Sequence, residues 1–169
     1  MGTDVHIMIE KKIKTQKHGT VWATVNPLTA TFADGLFQAT ADLINAPYGF
    51  YYRIEMRNYE FFRDIASVRG EGMYGDRGLP NDISPLALAE VESWGLDSHS
   101  HSYLYADELI PLYVKHHLRD DEKAKLVANR IEGLNDIELF HLIMERHFNV
   151  ATSEKDNPQD YRFVFFFDN

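Results

Sequence analysis

Near its C-terminus the chain reads Tyr161-Arg162-Phe163-Val164-Phe165-Phe166-Phe167, seven residues of which six are apolar or aromatic. A strand with one wet face alternates apolar and polar residues; a strand apolar on both faces must be covered on both. The rings and the branched Val164 also favour extended backbone. The segment therefore predicts a central strand with material packed above and below it. The other end is strand-like too. Over residues 3–13, Val5, Ile7 and Ile9 fall on one face and Asp4, His6, Met8 and Glu10 on the other. Met8 on that second face implies that it is partly covered.

Between these ends the punctuation is mostly helical. The polar stretch Lys14–Gly19 predicts a turn into a second strand over 20–25, making an N-terminal hairpin. Residues 26–50 are ambiguous, with a short helix over 39–44 and a turn at 45–49, and residues 50–55 are aromatic and extended. Asn58 has the character of an N-cap for a helix over 59–68. Residues 69–83 hold four of the ten glycines and predict a long loop. Ser84-Pro85 combines a hydroxyl cap with proline at the first helical position, and Gly95 supplies the stop. Further helices are expected over 107–118, starting near Pro111 or kinked there, over 120–131, and from Asn135 or Asp136 to about Phe148. A hairpin, then helices, then a closing strand predict an α+β fold. We expect a single globular domain over 1–169, with a small, mainly antiparallel sheet that contains the N- and C-terminal strands and several helices between them.

The stretch richest in chemistry is Asp97-Ser98-His99-Ser100-His101-Ser102. If it is extended, Asp97, His99 and His101 project to one side. Two imidazoles and a carboxylate on one face form a ligand set for Zn²⁺, Mn²⁺ or Fe²⁺, and a metal-bound water is a nucleophile near neutral pH. Asp4 and His6 would complete that site from a neighbouring strand. The competing reading is a Ser/His-rich loop that caps backbone groups, with Asp4 and His6 on the polar face of an edge strand. H-x-H is a weak motif, and the chain lacks the H-E-x-x-H spacing of zinc proteases. Arg57, Tyr59, Arg69 and Arg77 flank the glycine-rich loop. Guanidinium groups bind phosphate or carboxylate bidentately, so these four form a candidate anion site. The alternative is that the arginines pair with Glu55, Glu60, Asp64, Glu71 or Asp76 on a solvated surface. The aromatic residues between 48 and 62 could stack a base, but core packing is the simpler role. Nothing positions a serine nucleophile, so no catalytic residue is assigned.

Composition narrows the partners. A net charge of −9 argues against nucleic acid as a main partner, although it leaves room for a small anionic ligand in a local positive pocket. The chain has no cysteine, which excludes disulfides and thiolate metal sites. No apolar run is long enough for a transmembrane helix and no signal peptide is apparent, so a cytoplasmic location is expected.

Five motifs spread along the chain give it a resemblance. They are Gly2-Thr3-Asp4-Val5-His6; Arg57-Asn58-Tyr59 with Phe62 and Val68-Arg69; Arg77-Gly78-Leu79-Pro80-Asn81-Asp82-Ile83-Ser84; Asp97-Ser98-His99-Ser100-His101-Ser102; and Phe167-Asp168-Asn169. Together they resemble a family of small proteins from tailed bacteriophages and prophages. In that family the fourth motif has the form Asp-x-His-Ser-x-Ser, so His101 falls at a variable position. The resemblance implies a phage accessory protein at work in the cytoplasm of an infected bacterial cell, and it brings no catalytic assignment. Two functions follow as expectations. One is a metal-dependent hydrolase acting on a phosphate- or nucleotide-containing substrate. The other is a non-catalytic protein that binds a small ligand or a host protein, as an inhibitor of a bacterial defence would.

Overall fold

The computed structural model describes residues 3–25, 52–53, 58–118, 120–121, 136–148 and 150–168. Strand β1 (Val5–Thr15) turns back into β2 (Gly19–Thr24), as the hairpin pattern predicts. A two-residue strand β3 (Tyr52–Arg53) pairs with β1 at His6 and Ile7. Helix α1 (Tyr59–Ala66) and helix α2 (Pro85–Trp94) follow. Then come β4 (His99–Tyr105), helix α3 (Ala106–His117), helix α4 (Asp136–Arg146) and β5 (Tyr161–Phe167). The strands form one antiparallel sheet in the order β2-β1-β5-β4, with β3 beside β1. The fold is α+β, and its first and last strands are neighbours, with Val5 opposite Phe167 and Lys11 opposite Tyr161.

The helix limits follow local chemistry. Asn58 Oδ1 accepts the Phe61 N–H at 3.0 Å and caps α1. Ser84 Oγ accepts the Ala87 N–H at 3.3 Å, and Pro85 opens α2. Gly95, at φ 55°, ends α2 where a side chain would be strained. Pro111 lies inside α3, which begins five residues before it at Ala106 rather than at the proline. The last helix runs to Arg146, slightly short of the predicted limit. The expected helix over 39–44 lies outside the described residues, as do residues 122–131 of the helix expected over 120–131.

β5 is buried along its whole length, and the two faces of the sheet explain why. On one face Phe163, Phe165 and Phe167 join Val5, Ile7, Ile9 and Leu104. This layer packs under α1 (Phe61, Phe62, Ile65), α3 (Leu109, Leu112) and α4 (Phe140, Ile143, Met144). On the other face Val164, Phe166 and Met8 pack against Ala87 and Val91 of α2, with Trp94 at its margin. Each fully buried apolar side chain of this size contributes about 1.5–3 kcal/mol, so the aromatic C-terminal strand is the largest single source of burial in the sheet.

The second face also carries charge. Glu10 and Arg162 are opposite one another on β1 and β5 and are 0 % and 2 % exposed. Arg162 Nε donates to Glu10 Oε2. Its other two nitrogens reach Asp82, at 2.6 Å to the carboxylate and 2.9 Å to the carbonyl oxygen. The guanidinium lies over the Trp22 ring, 4.1 Å from its centroid. Glu10 Oε1 accepts the Ser84 N–H at 2.7 Å. Burial alone would raise the Asp82 carboxyl, but the hydrogen bond and charge of Arg162 outweigh it and hold Asp82 below the usual carboxylate range.

Removing one member of a buried pair strands the other charge, at a cost of about 3–5 kcal/mol. Arg162→Met should therefore lower unfolding stability by about that much, and Glu10→Leu/Arg162→Met together should recover most of the loss. Urea denaturation of the three proteins checks both statements; equal losses in the single and double variants would contradict the pairing.

Candidate functional site

Asp97, His99 and His101 do not share a face. Asp97 is exposed, in a short 3₁₀ turn over Gly95–Asp97 that ends before the strand begins. Within β4 the register against β5 shifts between His99, opposite Phe167, and Ser102, opposite Phe165. Four residues of β4 span three of β5, and Ser100 takes up the extra length at φ 50°. An extra residue reverses the alternation of side chains beyond it. His99 stacks near Phe167 on the face under α1, α3 and α4, with centroids 6.2 Å apart. His101 lies near Phe166 on the α2 face, at 6.3 Å. Each histidine is held by a local hydroxyl: His99 Nδ1 is 3.0 Å from Ser100 Oγ, and His101 Nε2 is 3.2 Å from Ser98 Oγ. Both contacts join side chain to side chain, and Ser98 Oγ also donates to the Gly95 carbonyl at 2.9 Å. Burial lowers the His101 imidazole below its ordinary value, Asp76 opposes that shift and His99 adds to it.

His6 and Asp4 are placed elsewhere. β1 is not an edge, because β2 and β3 flank one side and β5 the other. His6 is 2 % exposed, stacked on Phe166 at 4.9 Å with Trp94 at 4.4 Å. Its Nε2 is 3.1 Å from Asp168 Oδ2. Asp168 Oδ1 accepts the Asp4 N–H at 2.9 Å, and the Asp168 N–H donates to the Asp4 carbonyl at 3.1 Å. The first and last motifs of the sequence thus close on each other. Asp168 is the residue that pattern reading missed; its only signal was its place in Phe167-Asp168-Asn169. Among the described residues no three His, Asp or Glu side chains gather closely enough to hold a metal ion. The expected set of Asp4, His6, Asp97, His99 and His101 therefore does not fit one metal. The reasons are the register shift and the engagement of His6 by Asp168.

The anion set divides as well. Arg57 lies outside the described residues. Arg69, exposed and at φ 64°, lies over the exposed Tyr59 ring, 4.4 Å from its centroid. Arg77 grips Glu108 with two hydrogen bonds, at 2.9 and 2.7 Å. That hydrogen bond raises the Arg77 pKa further. Burial alone would raise the Glu108 carboxyl, but Arg77 and the Tyr105 N–H hold it below the ordinary range. Glu108 is none of the partners that sequence proximity offered for Arg77. The loop between the two arginines is anchored at Gly72, where a Cβ would come within 1.7 Å of the Arg63 carbonyl oxygen, and at Tyr74, whose N–H donates to the Asp64 carbonyl at 2.9 Å.

A third polar group joins α1 to α3. Asp64 Oδ2 accepts from Lys115 at 3.0 Å and lies 2.8 Å from His116 Nε2. Burial would raise the Asp64 carboxyl, but these two neighbours more than offset it and hold it low. The adjacent His117 stacks on Tyr113 at 5.1 Å and meets Phe61 edge-on at 4.5 Å. Its Nε2 has no hydrogen-bond partner among the described residues. Burial, helped by His116, pushes His117 down to about 4. No protein-family model, curated protein or solved structure matches the chain.

Two predictions follow from these histidines. His6→Phe and Asp168→Asn should each destabilise, and a double-mutant cycle of urea midpoints should give a coupling of about 1 kcal/mol or more; additive losses would mean that the two ends are not joined through this pair. His117 is neutral in the folded chain down to about pH 4 but takes a proton near pH 6.5 when unfolded. Its contribution to stability is therefore complete above pH 6.5 and is lost as pH falls towards 4. His117→Phe should flatten the stability profile in that window, and an unchanged slope would exclude His117 as its source.

Proposed function

We propose that the protein is a phage accessory protein that acts by binding a host protein, not by turning over a substrate. The observation that carries this reading is the exposed Tyr59–Arg69 pair. Of the residues that sequence reasoning assigned to ligand recognition, these two come together and remain at the surface. Tyr and Arg are the residue types that most often dominate protein–protein contacts, because each offers a broad apolar surface and a polar group on one rigid frame. The stack also keeps the guanidinium extended and ready to meet a carboxylate.

The hydrolase reading draws less support. It needs charged groups turned towards a substrate, whereas Arg77 is engaged by Glu108, Arg162 by Glu10 and Asp82, and His6 by Asp168. The resemblance to phage proteins supports the infected bacterial cell as the setting. No helix among the described residues is long and apolar enough to cross a membrane, which is consistent with a partner away from the bilayer.

The test pairs a binding measurement with a metal measurement. Purified without a histidine tag, the wild-type protein should retain a host protein from bacterial lysate in fixed molar ratio. Arg69→Glu should weaken that association by at least about tenfold, a loss of roughly 1.4 kcal/mol. Its effect on the host should saturate at equimolar dose. Near-stoichiometric zinc, manganese or iron, lost in His99→Ala, together with turnover of a phosphodiester, would overturn the binding reading in favour of the hydrolase.

A further inference from the structure

β4 is a terminal strand of the sheet, pairing only with β5 among the described residues. In an antiparallel ladder alternate residues turn their N–H and C=O groups away from the partner strand. In β4 they include the groups of Tyr103 and Tyr105, and one group of each is occupied. The Tyr103 carbonyl accepts from Arg77 Nη1 at 3.3 Å, and the Tyr105 N–H donates to Glu108 Oε2 at 2.9 Å. The same Arg77 Nη1 and Glu108 Oε2 are 2.9 Å apart, and a second bond joins Arg77 Nη2 to Glu108 Oε1 at 2.7 Å.

That geometry is what one residue of a neighbouring parallel strand would supply: a donor to the carbonyl of residue i−1 and an acceptor from the N–H of residue i+1. An antiparallel partner would need the N–H and C=O of Tyr103 or of Tyr105 together, and the clasp takes one group of each, so it blocks that pairing as well. Glu108 alone would be an ordinary N-terminal cap for α3. Arg77 makes it more, because its guanidinium reaches from another segment and its own backbone N–H is fixed by Ser102 Oγ at 3.1 Å. The guanidinium is further held between the rings of Tyr74 and Tyr103, 5.1 and 5.6 Å from their centroids.

We infer that the outer edge of β4 is a strand-pairing surface kept shut by the Arg77–Glu108 pair, and that the occupant it is kept shut against is β4 of a second copy of this chain. The sequence of the strand favours that occupant. His99–Tyr105 contains no Asp, Glu, Lys, Arg or Pro, the residues that normally protect an edge. Two copies related by a twofold axis could pair antiparallel without opposing like charges, and their Tyr103 and Tyr105 rings would supply aromatic cross-strand contacts. With a net charge of −9, two copies of the chain meet most readily along a segment without acidic side chains.

The experiment compares wild type with Arg77→Met/Glu108→Gln, which keeps both side-chain stems, removes the clasp and leaves no unpaired charge at the edge. Size-exclusion chromatography with light scattering, over a wide concentration range, reads the dissociation constant of the dimer. Hydrogen exchange reads the Tyr103 amide, because the Tyr105 N–H is already bonded to Glu108 within one copy. The double variant should lower the dissociation constant by at least about tenfold and protect the Tyr103 amide in the dimer. Arg77→Gln/Glu108→Gln, equally neutral, serves as the test if the first variant lacks the circular dichroism of the folded protein. Folded variants that associate no more than wild type would overturn the proposal. So would association that leaves the Tyr103 amide unprotected, which would place the contact elsewhere.

Discussion

The second face of the sheet can close because a buried guanidinium has partners on every side. Arg162 lies on the strand richest in buried aromatic residues, yet its charge is spread over Glu10, the Asp82 carboxylate and carbonyl, and the Trp22 ring. Those partners come from β1, from the segment that leads into α2, and from β2. Ser84 then joins the same network twice: its N–H is held by Glu10, and its hydroxyl caps α2 and lies 2.6 Å from Thr24 Oγ1. The position of α2 over Met8, Val164 and Phe166 is therefore tied to one ion pair. An apolar pair of equal volume could match its stability, but it would not aim the Asp82–Ser84 segment, because only directed hydrogen bonds specify where that backbone must lie.

The register shift in β4 has the opposite character, since it separates groups instead of joining them. A regular strand would put His99 and His101 side by side. With one extra residue at Ser100, each imidazole packs against a different phenylalanine of β5, on a different face. The same irregularity lies at the end of an edge strand, where it bends the edge and shortens the stretch open to pairing. Beyond it the Arg77–Glu108 pair occupies one outward group each of Tyr103 and Tyr105. The two devices cover adjoining parts of one edge, which explains why a strand with no protective charge of its own can stand at the rim of the sheet.

What could be read from the sequence was what local chemistry decides. Asn58, Ser84-Pro85 and Gly95 mark helix ends because a cap or stop acts within a few residues of itself. The run Tyr161–Phe167 announced a strand covered on both sides, and Met8 announced that the polar face of β1 was partly covered. The features that escaped depend on distant pairing. Glu10 and Arg162 are separated by 152 residues, His6 and Asp168 by 162. No periodicity links such positions. The register shift was hidden for a related reason: alternation over Asp97–Ser102 is regular in the sequence, and it is the ladder with β5 that breaks it. Arg77 shows the same limit, since its carboxylate partner is not a near neighbour in sequence but Glu108, brought to it by the turn from β4 into α3.

These pairings bear directly on what the molecule can do. A side chain fixed by an internal partner is costly to redirect towards a substrate, because the partner is then left with an unmet charge or hydrogen bond. In this fold the two ends of the chain are fastened through Asp168, Asp4 and His6; α1 is fastened to α3 through Asp64; and the sheet edge is fastened through Arg77 and Glu108. Charge placed in this way specifies shape. Arg69 differs from these groups, because its contact is with the face of an exposed ring, which occupies none of its hydrogen-bond donors. A partner with a carboxylate could take those donors without breaking any bond that holds the fold, so recognition at Tyr59 and Arg69 is compatible with the stability of the rest.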